Sequence, residues 1–334
     1  FVLSDHDDED FETSFFIGQT TKILEAKYEA IDLDQVVASQ RHLNSQQQRE
    51  LHQILNQYGD LFNGNLARSG RLGTYLGPKV HLELIEGARP FQQRPYPVPE
   101  SNKKVFKQEL DRLESIGVLT RTGPSEWLSP TFIIPKKDGT VRWVSDFRAL
   151  NKLIRRKVYH LPRIQDILKK RKGYLFFTKI DISMQYYTFE LDDESKELCT
   201  ISTPFGNYRY NRLPMGIKQS PDVAQEIMEN LFRDFLEVDV YIDDVGIFND
   251  DWSSHLTSLN RVLAILQKHN FTVNPLKCEW GVQETDWLGY WLTPTGIKPW
   301  KKKIAAILAL NPPTTVKELR SFIGAVTFYR DMYP

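Results

Sequence analysis

The sequence predicts an α+β fold, and three observations carry that prediction. Helical and strand-like periodicities alternate without a βαβ rhythm. The apolar strands are joined largely by short polar turns, so hairpins dominate over helical crossovers. The 334 residues, 41% apolar and 26% charged, suffice for two or more packed lobes. No window approaches the about 18 uninterrupted apolar residues of a membrane span. The opening FVLSDHDDEDFE has neither the basic flank nor the apolar run of a signal peptide. It also lacks an initiating Met, as expected of a piece cut from something longer. Two cysteines, Cys199 and Cys278, do not make a disulfide framework, which fits an intracellular setting.

Taken in order, residues 1–40 are acidic and weakly patterned and read as a linker. LNSQQQRELHQILNQYGDLF (43–62) places Leu51, Ile54, Leu55, Tyr58 and Leu61 at helical intervals, with Ser45 as cap. Residues 63–100, rich in Gly and Pro, end in the extended RPYPVP. A helix over 101–116 carries Val105, Phe106, Leu110, Leu113 and Ile116 on one face, and GPSEWLSP turns the chain. TFIIPKKDGTVRWVSDF is a hairpin around Lys-Lys-Asp-Gly. LPRIQDILKK opens a helix with Pro162 in its first turn. YLFFTKIDI (174–182) is a buried strand ending on Asp181. NRLPMGIKQSP precedes an amphipathic helix, DVAQEIMENLFRDFL. HLTSLNRVLAILQKHN (255–270) is helical, FTVNPLKCEW a turn and short strand, and DWLGYWLT (286–293) a further strand. Two helices close the chain: KKKIAAILAL (301–310), and one from Thr315, where Thr315 and Glu318 have capping-box spacing.

Formal net charge is zero but unevenly spread. Residues 1–100 hold 9 Lys/Arg against 15 Asp/Glu, whereas Lys136–Lys172 holds 13 Lys/Arg against Asp138, Asp146 and Asp166. Such a basic run suggests a polyanionic partner, or else a solvated surface.

The chemistry centres on VYIDDVGIF (240–248), two adjacent carboxylates between apolar runs. At a separation of ~5 Å and an effective dielectric of about 20, their repulsion is roughly 3 kcal/mol. Asp-Asp is also an ordinary polar turn. A second strand ending on Asp181 adds weight: if the strands are neighbours, three carboxylates meet at one sheet edge. Two Mg²⁺ ions would relieve the repulsion, activate a 3′-hydroxyl and stabilise departing pyrophosphate. No His/Cys spacing around His255, His269 and Cys278 supports zinc.

These blocks, in this order, resemble the polymerase of reverse transcriptases, most closely that of gypsy-type long-terminal-repeat retrotransposons. SEWLSPTFIIPKKDGTVRWVSDFRALNK resembles the fingers signature, KIDISMQYYTFEL the first palm motif, LPMGIKQSP the nucleotide-side motif and YIDD the metal-binding motif. HLTSLNRVLAILQKHNFTVNPLKCEW with WLGYWLTPTGIKP resembles the later palm and primer grip, and VKELRSFIGAVTFYRDMYP a thumb helix. The resemblance covers roughly residues 75–334.

It implies a right-hand polymerase fold with fingers, an antiparallel-sheet palm and a partial helical thumb. The expected divisions are an acidic linker or upstream polyprotein segment (1–75), N-terminal extension and fingers (76–155), palm (156–188), fingers (189–219), palm with primer grip (220–294) and partial thumb (295–334). It implies an RNA-directed DNA polymerase adding deoxynucleotides to a primer on an RNA or DNA template. Two Mg²⁺ ions, replaceable by Mn²⁺, would be held by Asp181, Asp243, Asp244 and the Ile182 carbonyl, with Lys277 as general acid. Lys136 and Arg142 would hold the triphosphate, Tyr186 would exclude a 2′-hydroxyl, and Met215, Gly216 and Lys218 would flank the nucleotide. Leu288, Gly289 and Tyr290 would form the primer grip, and Gly324, Thr327 and Phe328 would follow the duplex groove. The implied partners are template–primer duplex and deoxynucleoside triphosphates, with no membrane. The implied setting is a longer polyprotein with protease, ribonuclease H and integrase, in cytoplasmic particles or the nucleus, on a route to DNA integration. Departures exist: Met215-Gly216-Ile217 and Gln219-Ser220-Pro221 replace the usual Phe-Gly-Leu and Asn-Ala-Pro, which puts nucleotide selection in doubt. Two other readings are a catalytically silent template–primer-binding remnant and an RNA-directed RNA polymerase; Tyr186 argues against the latter.

Overall fold

The buried side chains Phe177 and Ile180 of FFTKID and Val245, Ile247 and Phe248 of DVGIFN build the sheet on which the rest of the molecule is arranged. The computed structural model describes residues 32–62, 72–135, 141–171, 173–299 and 301–327. Its helices are α1 (Leu33–Ala38), α2 (Ser45–Gln57), α3 (Glu100–Ser115), α4 (Arg148–Leu153), α5 (Ile164–Lys170), α6 (Gln185–Thr188), α7 (Asp193–Leu198), α8 (Ser220–Leu231), α9 (Trp252–Lys268), α10 (Lys301–Leu308) and α11 (Val316–Thr327). Its strands are β1 (Leu119–Thr122), β2 (Ser129–Pro135), β3 (Val141–Ser145), β4 (Phe176–Asp181), β5 (Thr200–Thr203), β6 (Gly206–Tyr210), β7 (Val238–Tyr241), β8 (Asp244–Asn249), β9 (Glu279–Val282), β10 (Thr285–Trp287), β11 (Tyr290–Thr293) and β12 (Gly296–Pro299).

The strands form three sheets, an α+β arrangement. One runs β1-β6-β5-β2-β3, antiparallel except for the parallel β2–β5 pair. The second runs β7-β8-β4-β9, antiparallel throughout. The third is the meander β10-β11-β12. Helix α9 packs on β8 and β4 and buries Leu259, Val262, Leu263 and Leu266 against Val245 and Ile247. Burying each such side chain is worth about 1.5–3 kcal/mol.

The helix expected over 43–62 is present as α2, and the segment before it, expected as linker, is folded from residue 32: Val36, Val37, Leu43, Leu51, Leu55, Tyr58, Leu61 and Phe62 join the core that holds Val262 and Trp280. The Tyr58 hydroxyl donates to Asn260 Oδ1 at 2.9 Å, and Trp252 Nε1–H donates to Glu50 at 2.7 Å. The apolar stripe of α2 is wide enough to need a partner, and α9 supplies it. The cap of α2 is Asn44 rather than Ser45, in a capping box with Gln47. Pro162 lies outside α5, which starts at Ile164. DWLGYWLT is two strands, β10 and β11, joined by a two-residue turn with Leu288 at φ 50° and Gly289 at φ 85°. Leucine in the first left-handed position hides this turn from a sequence reading.

Part of the basic run is spent on internal pairs. Arg148 binds Asp146, Arg155 and Lys157 share Glu83, Arg156 reaches the buried Asp222, and Arg171 pairs with Asp239. Its charge density is thus partly a means of fixing the chain between the sheets.

Candidate active site

Strands β4 and β8 are neighbours, and their register sets Asp181 directly opposite Asp244. Opposed residues of an antiparallel pair project from the same face. One step on, the Ile182 N–H donates to the Asp243 carbonyl at 3.2 Å. Alternation of the ladder then makes Asp181 and Asp244 the closer, non-hydrogen-bonded kind of pair, with Cα atoms about 4.5 Å apart. Asp243 is the second residue of the two-residue turn between β7 and β8, whose ends pair as Tyr241 and Asp244. The first is Ile242, at φ 55°. A β-branched residue in the left-handed region is strained, by about 1–3 kcal/mol. Its N–H is held at 2.6 Å by Gln225 Oε1 of α8, and the same glutamine donates to Val240 O at 2.9 Å. Gln225, fully buried, therefore braces both sides of the tip.

The electrostatics agree with convergence. Loss of water, followed by the charges of Asp244 and Asp181, pushes the Asp243 carboxyl well above the usual carboxylate range, and Lys277 pulls the other way. Among the described residues, no three His, Cys, Asp or Glu side chains converge closely enough to cage a metal ion by themselves. The closed trio expected from the sequence is instead an open donor set. This fits Mg²⁺, which takes one or two carboxylates and fills its remaining positions with water and substrate phosphates.

The segment carrying Lys277 is laid against the same strand. Ile182 bridges Val273, and the Asn274 N–H donates to Asp181 O at 3.2 Å. Behind the carboxylate, Cys278 Sγ accepts the Asp181 N–H at 3.4 Å, and burial pushes its thiol far up. Tyr186, in α6, is buried; burial first, then the charges of Asp243 and Asp222, raise its phenol beyond any working pH.

The loop of Met215, Gly216 and Lys218 is fixed by a residue the sequence reading missed. Asn151 Nδ2 donates to Gly216 O at 2.8 Å, and Asn151 Oδ1 accepts the Lys218 N–H at 2.9 Å. Gly216 sits at φ 94°, which an L side chain resists. Arg142, on β3, has Nη2 buried without a hydrogen-bond partner, and burial lowers its pKa. Such an orphan guanidinium group suits a phosphate oxygen. Lys136 lies outside the described residues, as does Phe328. Leu288, Gly289 and Tyr290 lie at the β10–β11 turn. Gly324 and Thr327 lie on α11, which has no buried residue, and no described contact joins them to the carboxylates.

Asn151, Gln225 and Asp222 carry no sequence signal of their own. Asp222, in the first turn of α8, accepts from Arg156 at 2.9 Å and from the Tyr159 N–H at 3.0 Å. Only the fold makes neighbours of residues more than sixty positions apart.

Residues 134–292 match the family described as reverse transcriptase (RNA-dependent DNA polymerase). The chain is 31% identical over 300 residues to the retrovirus-related Pol polyprotein from transposon 297 of Drosophila melanogaster, covering 88% of this chain and 28% of that protein. It is 28% identical over 260 residues to the transposon Tf2-3 polyprotein of Schizosaccharomyces pombe, covering 77% and 19%. It thus spans less than a third of these relatives. Among solved structures, a foamy viral protease–reverse transcriptase in complex with double-stranded DNA superposes with TM-score 0.82 at 24% identity, covering 90% of this chain and 53% of that one. Another, bound to an RNA/DNA hybrid, gives TM-score 0.79 at 24% identity, covering 89% and 40%. The fold is that of the right-hand polymerases.

Proposed function

We propose that this chain, which carries a reverse transcriptase domain at residues 134–292, works as an RNA-directed DNA polymerase within a retrotransposon Pol polyprotein of the gypsy type. One observation carries the reading. Asp181 faces Asp244 across one rung, and Asp243 sits beside them with its carboxyl perturbed by both. A site this costly to the free protein has a use for the cations that relieve it.

The donor set for two Mg²⁺ ions, or Mn²⁺ in their place, is Asp181, Asp243, Asp244 and the Ile182 carbonyl. Bound there, divalent cations would lower the pKa of a primer 3′-hydroxyl and offset charge on the leaving pyrophosphate. The remaining roles belong to the chain. Arg142 offers its buried, unpartnered nitrogen to a triphosphate oxygen, and Lys136 is assigned to the same triphosphate on its sequence motif alone. Met215, Gly216 and Lys218, held by Asn151, form the wall along which the nucleotide lies. Tyr186 fills the space a 2′-hydroxyl would need. Lys277, whose charge acts on Asp243, is placed to give a proton to pyrophosphate.

The duplex bound by the foamy viral proteins suggests the partner, an RNA or DNA template paired with a primer, held at Leu288, Gly289 and Tyr290, along α11 at Gly324 and Thr327, and at Phe328, which is assigned on sequence alone. The polyprotein relatives support continuity with further regions of a longer chain; protease, ribonuclease H and integrase as those regions, and cytoplasmic particles or the nucleus as the setting, belong to the same proposal. No described helix is long and apolar enough to cross a membrane.

The test is extension of a DNA primer on an RNA template with Mg²⁺, comparing deoxy- and ribonucleotides. Asp181→Asn and Asp243→Asn should each lower extension by at least ~10²-fold while duplex binding persists. Near-normal extension by either variant would overturn the assignment. Duplex binding without extension by the unaltered protein would mark a silent remnant.

A further inference from the structure

The turn that presents Asp243 is strained at one residue, and a second glutamine, from a different helix, holds the other end of that residue. Gln185, first residue of α6, donates from Nε2 to the Ile242 carbonyl at 3.1 Å. Gln225 takes the Ile242 N–H from the opposite side. Both polar groups of the left-handed residue are thus fixed by side chains, at a position where the backbone would otherwise relax to negative φ.

Packing alone does not account for Gln185. Its side chain is 1% exposed, and its Oε1 has no hydrogen-bond partner. A buried amide with an unfilled acceptor is costly, and a methionine or leucine would fill the volume without that cost. What the amide supplies is the bond to Ile242. The next residue along α6 is Tyr186, so one side chain joins the helix of the sugar-facing ring to the turn of the metal-facing carboxylate.

We propose that Gln185 is a positioning residue that locks the left-handed Ile242 peptide, and with it the Asp243 carboxylate, to the helix carrying Tyr186, so that nucleotide fit and metal-ligand placement are set together. This rests on the polymerase reading above and deepens it. Gln225 fixes the turn to α8; Gln185 fixes it to the nucleotide pocket.

The experiment compares the unaltered protein with Gln185→Met, which keeps the volume and removes the donor. Single-turnover extension gives the maximal rate and the apparent deoxynucleotide affinity. Mn²⁺ binding to the complex with template–primer and a non-hydrolysable deoxynucleotide, followed by electron paramagnetic resonance, gives a second readout independent of turnover. Expected are a maximal rate down about tenfold, half-saturating Mn²⁺ up several-fold, weaker discrimination against ribonucleotides and a melting temperature within a few degrees of the unaltered protein. A merely structural glutamine would move the melting temperature and leave the Mn²⁺ affinity alone.

Ile242→Gly supplies the cycle. Glycine adopts this φ without strain, so Gln185→Met should cost much less rate in that background than with isoleucine present. If Gln185→Met folds too poorly to assay, Gln185→Asn replaces it, keeping an amide that stops one carbon short of Ile242. Extension and Mn²⁺ affinity within twofold of the unaltered protein, or an equal cost in both backgrounds, would overturn the proposal. An unaltered protein that extends no primer would instead strike the polymerase reading itself.

Discussion

Replacing Asp243 by Asn should make the metal-free protein more stable while removing its activity. The carboxyl lies within the fields of Asp244 and Asp181, and burial raises its pKa further. One like-charge contact at ~5 Å and an effective dielectric of about 20 is worth about 3 kcal/mol. Asp243 is half-buried rather than sealed, and Lys277 offsets part of the repulsion, so about 1–2 kcal/mol should be recovered on neutralisation. For a chain of this size that is a rise in melting temperature of about 2–6 °C. The sign with pH follows from the direction of the shift. A carboxyl whose folded pKa lies above its unfolded value costs nothing at low pH, where both states are protonated. The cost grows as pH rises from about 4 and levels off above the folded pKa. Melting in chelator at pH 5 and pH 8 should therefore show a larger gain for Asp243→Asn at pH 8. Added Mg²⁺ should raise the melting temperature of the unaltered protein more than that of the variant. A variant that melts lower than the unaltered protein at pH 8, or gains equally at both pH values, would refute the electrostatic account.

Three further outcomes are expected. Tyr186→Val should admit ribonucleotides in primer extension, and unchanged sugar discrimination would exclude the ring as gate. Gly246→Ala should destabilise the protein by about 1–3 kcal/mol in urea unfolding, because a Cβ there would lie 2.8 Å from the Trp287 ring and 3.0 Å from Phe177. His255 is buried neutral between Thr178 and Asn249, with its pKa lowered to about 4 by burial. It contributes stability that is full above about pH 6.5 and drains away as pH falls towards 4, by about 3 kcal/mol in all. Urea unfolding at pH 7 and pH 4.5, done in Asp243→Asn to remove the opposing trend, should show that loss, and His255→Gln should abolish it.

The fold class and the pairing of the two Asp-bearing strands were legible because they depend on local signals. Apolar strands around Asp181 and around Asp243–Asp244 declare themselves by period, and a shared sheet follows from strands that must bury both faces. The turn itself was not legible: the tip is Ile242–Asp243 rather than Asp243–Asp244, and nothing in an isoleucine announces positive φ. The braces that hold it there, Gln185 and Gln225, are ordinary helix residues whose meaning exists only in three dimensions. The same is true of Asn151, whose amide spans Gly216 and Lys218. Charge density was legible only as a total: Arg155, Arg156 and Arg171 pair with Glu83, Asp222 and Asp239, which arrive from other parts of the chain.

The docking of residues 32–62 onto α9 changes where the molecule can be cut. Leu61 O accepts the Val273 N–H at 2.9 Å, and Val273 is the bridge partner of Ile182, next to Asp181. Trimming to 134–292 would strip cover from Trp280 and Val262 and loosen the strand end that carries Asp181. The unit that recombination or proteolysis must leave whole is therefore wider than the region of family likeness, and a shortened version ending inside it should aggregate before it loses any of Asp181, Asp243 and Asp244.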